Sequence, residues 1–160
     1  MVAELRLVRR LRAFSVTNKT KPSKLPLITS FFSIGGWDFD TDACTAAIGI
    51  SPTRIWRQSH AHLAQHPDIP NTNWTVELEH RQLYSLDDGL AELFALLLPS
   101  RDRILSFLQA SGLRGGFGSN VTIRADRPLY HLSPETLSTL ASFHCEYLMD
   151  IYDYTDDHVA

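Results

Sequence analysis

Three aspartates at alternate positions, Asp38, Asp40 and Asp42, offer carboxylates of the kind that hold calcium. An EF-hand loop would add Gly at its sixth position and a bidentate Glu at its twelfth; this chain has Ala43 and Gly49 there. The competing reading is a strand-to-helix turn whose carboxylates cap free N–H groups at the positive end of a helix. His60, His62 and His66 could converge on zinc if Asp68 or His80 joined them, because neutral imidazole is a good zinc ligand. No HExxH pair and no cysteine pair frames that set, so a solvated histidine-rich loop is the alternative, and no metal is assigned.

Arg54, Trp56 and Arg57, with Trp37 and Trp74 and the carboxylates of Asp38 and Asp40, could line an aromatic-walled pocket for an anion. Guanidinium forks bind carboxylate or phosphate through two bonds and stack on rings. The alternative is a structural arginine–aspartate network beside core tryptophans. Cys44 and Cys145 allow at most one bridge and show no redox or metal spacing, so free buried thiols are expected. His144 beside Cys145 in the chain says nothing of nucleophile–base geometry, and no serine sits in a nucleophile elbow. The glycines from Gly112 to Gly118 lack the Lys-Ser/Thr of a phosphate loop and precede a strand, so a turn is expected and no cofactor.

The chain ends on a different chemistry. Tyr147, Tyr152 and Tyr154 alternate with Glu146, Asp150, Asp153, Asp156 and Asp157. Tyrosines supply rigid contact area and carboxylates steer a basic partner toward it. Tyr152, Asp153, Tyr154, Asp156 and Asp157 are the expected partner-binding residues; a plain solvated edge strand is the competing reading.

Charge is divided along the chain. Residues 1–24 hold seven basic side chains and Glu4 as their one acid, whereas residues 25–160 hold eight arginines, seventeen acids and no lysine. An acidic body repels phosphate backbones and favours basic proteins, so nucleic acid is expected to engage only the basic segment, if any. That segment, with Leu5, Val8 and Leu11 against arginines, is read as an extension outside the core: a leader, a partner-binding or nucleic-acid arm, or a membrane-surface helix. No apolar run approaches the roughly 18 residues of a spanning helix. A cytoplasmic location is expected.

These residues must be positioned by a body of 160 residues in all, long enough for one core and short for two. A strand from Leu25 ends at Gly35-Gly36; Asp40 or Thr41 caps a helix that Gly49 stops; Thr53 to Arg57 and Trp74 to Arg81 are further strands. Ser85 opens a helix that Pro99 breaks and a second continues to Gly112, Val121 to Ala125 is a strand that Leu129 to Leu132 extends or pairs with, and Ser133-Pro134 opens a helix to about His144. A last strand follows. Strands separated by helices yet alternating apolar and polar imply an α+β domain over residues 25–160, with one mixed, mostly antiparallel sheet and helices packed on one face.

Gly35-Gly36-Trp37-Asp38-Phe39-Asp40, Ile48-Gly49-Ile50, Ser51-Pro52-Thr53-Arg54-Ile55-Trp56-Arg57, Trp74 at a strand start and Leu132-Ser133-Pro134-Glu135 together resemble the bacterial family known as domain of unknown function 4279, over residues 27 to 155. In that family a Gly with an acidic residue usually follows the tryptophan segment; Gln58, Ser59 and His60 stand there in this chain. The resemblance implies fold boundaries and a bacterial source but no activity. With no assembled catalytic set, the chain is expected to be a non-enzymatic protein-binding module, such as an immunity-type inhibitor of a basic toxin. A small-ligand or anion-binding domain, or a metal-dependent enzyme using the loop histidines, is the alternative.

Overall fold

A computed structural model describes residues 24–58 and 70–154. Apart from Lys24 the basic segment lies outside the described residues, as do His60, His62, His66, Asp156 and Asp157. The described elements run β1 (Leu27–Gly36), α1 (Thr41–Ile48), β2 (Arg54–Arg57), β3 (Thr72–Glu77), β4 (Arg81–Gln82), α2 (Leu86–Leu97), a 3₁₀ turn (Leu98–Ser100), α3 (Arg101–Ser111), β5 (Arg114–Ile123), α4 (Pro134–Ser142) and β6 (Glu146–Asp153). No helix among them is long and apolar enough to cross a membrane.

β1 is central. Its alternating pattern sends Ile28, Phe32 and Ile34 into the core, and β5 pairs along one of its sides while β3 and β4 share the other, all antiparallel. The sheet order is β2-β3-β1-β5-β6, and β6 lies parallel to β5, which makes the sheet mixed. Register places Val76, Phe32, Phe117 and Tyr147 in one row across four strands. The helices cover that face alone: Cys44 and Ile48 of α1, Leu90, Leu93, Phe94 and Leu97 of α2, Ile104 of α3 and Leu140 of α4 join the same cluster. Phe117 is its hub, with ring centroids 4.9 Å from Phe32, 5.1 Å from Phe143 and 5.5 Å from Phe94. Each fully buried side chain of this size contributes about 1.5–3 kcal/mol.

Helix ends follow their capping residues. Asp40 accepts from the N–H groups of Asp42 and Ala43 at 2.9 and 3.0 Å and starts α1, which Gly49 closes at φ 75°. Ser85 caps α2 and Ser133 caps α4, with Pro134 in its first turn. Pro99 turns the end of α2 into a 3₁₀ step before α3 resumes, since proline has no N–H for the helical ladder. Arg101 at the head of α3 donates through Nε and Nη2 to the Ser142 carbonyl at 3.0 and 2.7 Å, satisfying an orphan acceptor at the end of α4.

The structure corrects four expectations. The strand expected from Trp74 to Arg81 is divided into β3, which starts at Thr72 and ends at Glu77, and the short β4 at Arg81–Gln82. Gly115, Gly116 and Gly118 are not a turn before the strand but lie inside β5. Two of them face close neighbours: a Cβ on Gly118 would sit 2.2 Å from Cζ of Phe31, and one on Gly115 would sit 3.0 Å from Sγ of Cys145. Leu129 to Leu132 adds no strand; Leu129 makes a single bridge to Ser85. α4 ends at Ser142, two residues short, because His144 takes the left-handed conformation (φ 54°) and turns the chain into β6.

Candidate functional site

The arginine and tryptophan group expected to bind a ligand is divided by the sheet. Arg54 and Trp56 pair with Thr75 and Asn73 and stand on the open face, and Arg54 Nη2 is 3.1 Å from Glu77 Oε2. Arg57 points the other way, where its Nη2 donates to the Thr41 hydroxyl at 3.0 Å. There it shares a shallow hollow of about 270 Å³ with Asp38, Phe39, Asp40 and Thr72. Asp38, Asp40 and Arg57 are thus brought together, and Arg54 and Trp56 are not.

Within that hollow the aspartates have structural partners. The backbone N–H groups of Ala43 and Asp42, aided by the Arg57 charge, hold the Asp40 carboxyl below the ordinary carboxylate value. Asp38 is left-handed (φ 46°); its N–H donates to Asn71 Oδ1 at 2.7 Å and its carboxylate accepts from Asn71 Nδ2. Asn71 is buried and also receives the Thr72 hydroxyl at 3.1 Å. The alternate aspartates therefore cap a helix and clamp a loop. Among the described residues no group of three metal-ligating side chains comes together. His80, a candidate fourth ligand, bonds through Nδ1 to the Thr29 hydroxyl.

Neither cysteine is poised as a nucleophile. Cys44 is fully buried, which pushes its thiol up to about 12, and burial with the Glu146 charge pushes Cys145 up to about 11. Both are free thiols, and Cys145 Sγ donates to the Phe143 carbonyl at 3.2 Å rather than to a base. Asp87, in the first turn of α2, reaches across to α4, where both its oxygens accept from the Ser133 N–H at 3.1 Å.

Two wider hollows went unread in the sequence. On the open face, Trp37, which is 51% exposed, walls a hollow of about 580 Å³ with Ser33, Asn73 and Gly116. Beside it, Leu105, Leu108, Phe143 and His144 line another of about 630 Å³. Leu113, Arg114, Gly115 and Glu146 line both. Arg114 and Glu146 are far apart in the chain, and only the β5–β6 pairing, Gly116 opposite Glu146, unites them. No local pattern signals that.

β6 forms the remaining surface. Among the described residues it pairs only with β5. Tyr147 and Met149 turn toward the helices, and Glu146, Leu148, Asp150 and Tyr152 stand on the open face with Gly116, Gly118, Asn120 and Thr122. Leu148 is 58% exposed, Tyr152 47% and Tyr154 49%. The Tyr154 N–H donates to the Ile123 carbonyl at 3.0 Å, and Arg127 Nη2 lies 3.4 Å from Asp153 Oδ2. Tyr152, Asp153 and Tyr154 thus share one exposed corner.

Fold and surfaces define an α+β domain with one sheet face under helices and the other bearing no helix among the described residues. The chain belongs to the family described as a domain of unknown function (DUF4279), which matches residues 26–154. No curated protein and no solved structure matches it.

Proposed function

We propose that this domain is a non-enzymatic protein-binding module that docks a basic partner along β6, in the manner of an immunity-type inhibitor covering a bacterial toxin or nuclease. One observation carries the reading: an eight-residue edge strand that exposes Leu148, Ile151 and Tyr152, flanked by Tyr154 and interleaved with Glu146, Asp150 and Asp153. Long apolar edges invite other strands, and folds that need no partner blunt them with charges, above all lysine, with proline or with bulges; the charges of β6 are all acidic, which leaves it open to a basic strand. β6 contains no lysine or proline. A partner strand added there would gain main-chain bonds, with tyrosine anchors for specificity and carboxylates for steering.

The ligand reading at Asp38, Asp40, Arg54, Trp56 and Arg57 is weaker because those side chains face two sides of the sheet. The test is affinity capture by the full chain and by its Leu148→Glu and Tyr152→Ala forms, with Trp56→Ala as control. A basic protein should be retained in equimolar amount by the wild type and the control. Losing a hot-spot tyrosine should weaken it about thirtyfold. The captured protein, expressed alone, should arrest growth, and co-expression of this chain should restore it. Equal capture by wild type and both β6 variants would sink the docking surface, and an unharmed host would sink the immunity role.

A further inference from the structure

The two wider hollows meet on a ridge made by Arg114 and Glu146. No ion pair among the described residues engages either side chain. Two opposite charges therefore front the same space with no ion-pair partner among the described residues. On one side Leu105, Leu108, Leu113 and the buried Phe143 form the apolar part of a wall that also holds Gln109 and His144. Pockets that hold small molecules have this composition, a largely apolar wall with a few convergent polar groups that fix orientation.

The charges narrow the ligand. A simple carboxylate would satisfy Arg114 and be repelled by Glu146; a simple amine would meet the reverse. Phosphate esters fail on the same ground. A molecule carrying both charges on one carbon, with an apolar substituent, matches all three features at once. We propose that this ridge binds a free α-amino acid with an apolar side chain. The α-carboxylate takes the fork of Arg114, the α-ammonium takes the carboxylate of Glu146, and the side chain enters the leucine-lined hollow. Charge-assisted bonds of this kind are about twice as strong as neutral ones. His144, held left-handed at φ 54° on the rim, marks the apolar side. The site shares Glu146 with the proposed docking strand and lies at the opposite end of β6 from Tyr152 and Tyr154.

Titration calorimetry on the full chain decides it, with L-leucine and L-phenylalanine as probes. Saturable one-to-one binding is expected. N-acetyl-L-leucine, L-leucinamide and 4-methylpentanoate each lack one charge and should bind at least about tenfold more weakly. Arg114→Gln and Glu146→Gln should each lose a similar factor, whereas Tyr152→Ala should leave binding unchanged. Absence of saturable binding by either amino acid at millimolar concentration overturns the proposal. So does equal binding of 4-methylpentanoate. The ligand series is read on wild-type protein, so it stands even if a variant fails to fold.

Discussion

The indole N–H of Trp74 donates to the hydroxyl of Thr45 at 3.0 Å, and that hydroxyl in turn donates to the Thr41 carbonyl at 2.8 Å. One small side chain ties β3 to α1 and spares a fully buried indole an unpaired donor. Thr45→Val keeps the shape and removes the acceptor. An unpaired buried N–H costs about 1–3 kcal/mol. The urea midpoint should fall accordingly with its slope unchanged. Adding Trp74→Phe removes the orphaned donor, so the two losses should sum to less than additive.

Asp87 makes the packing of α2 on α4 sensitive to acid. Burial alone would raise its carboxyl, but the Ser133 backbone N–H, the Thr136 and Ser133 hydroxyls and nearby His131 outweigh that and hold it below the ordinary 3.8. A depressed folded value means the contribution is complete above 3.8 and is lost as pH falls through the folded value. Unfolding free energies of wild type and Asp87→Asn should differ most near neutrality and converge in acid. A constant difference at every pH would show that ionisation of Asp87 contributes nothing.

The thiols act at the alkaline end. Burial pushes the folded thiols of Cys44 and Cys145 up to about 12 and, with the Glu146 charge, about 11, against 9.0 for an ordinary thiol. Above 9.0 the unfolded thiols ionise while the folded ones stay neutral, so stability falls as pH rises through that window. The Cys44→Ala/Cys145→Ala protein should show a shallower alkaline decline. At pH near neutral, the native wild type should react slowly with a disulfide reagent and the urea-unfolded chain quickly.

Gly118 lies beneath the ring of Phe31, with no room for a methyl group. Gly118→Ala should cost about 1–3 kcal/mol through displacement of that ring. Phe31→Ala on the same background should recover part of the loss, measurable as coupling in a double-mutant cycle of thermal unfolding.

Much of this fold is legible locally. Asp40 and Gly49 bracket α1 as capping chemistry requires, Ser133-Pro134 opens α4, and Pro99 divides α2 from α3, because each signal acts within one turn of helix. The glycines of β5 mislead because their reason is tertiary: turn chemistry and close approach both call for glycine, and only the position of Phe31, a whole strand away, distinguishes them. The separation of Trp56 from Arg57 was already implied once Thr53 to Arg57 was read as a strand, since neighbours in a strand face opposite sides. The ridge of Arg114 and Glu146 had no such signal. It depends on a parallel crossover through α4, a relation between distant segments that no spacing encodes.

The central place of β1 also governs the order in which the chain can fold. It is made before every other described strand, yet its partners come from β3 and β4 on one side and from the much later β5 on the other. While the chain is being synthesised, Phe32 and Ile34 wait with an open strand edge until Arg114–Ile123 has emerged, which favours slow, non-local closure. A chain truncated between α3 and β5 is thus no smaller version of the domain but a sticky fragment, fit for a chaperone.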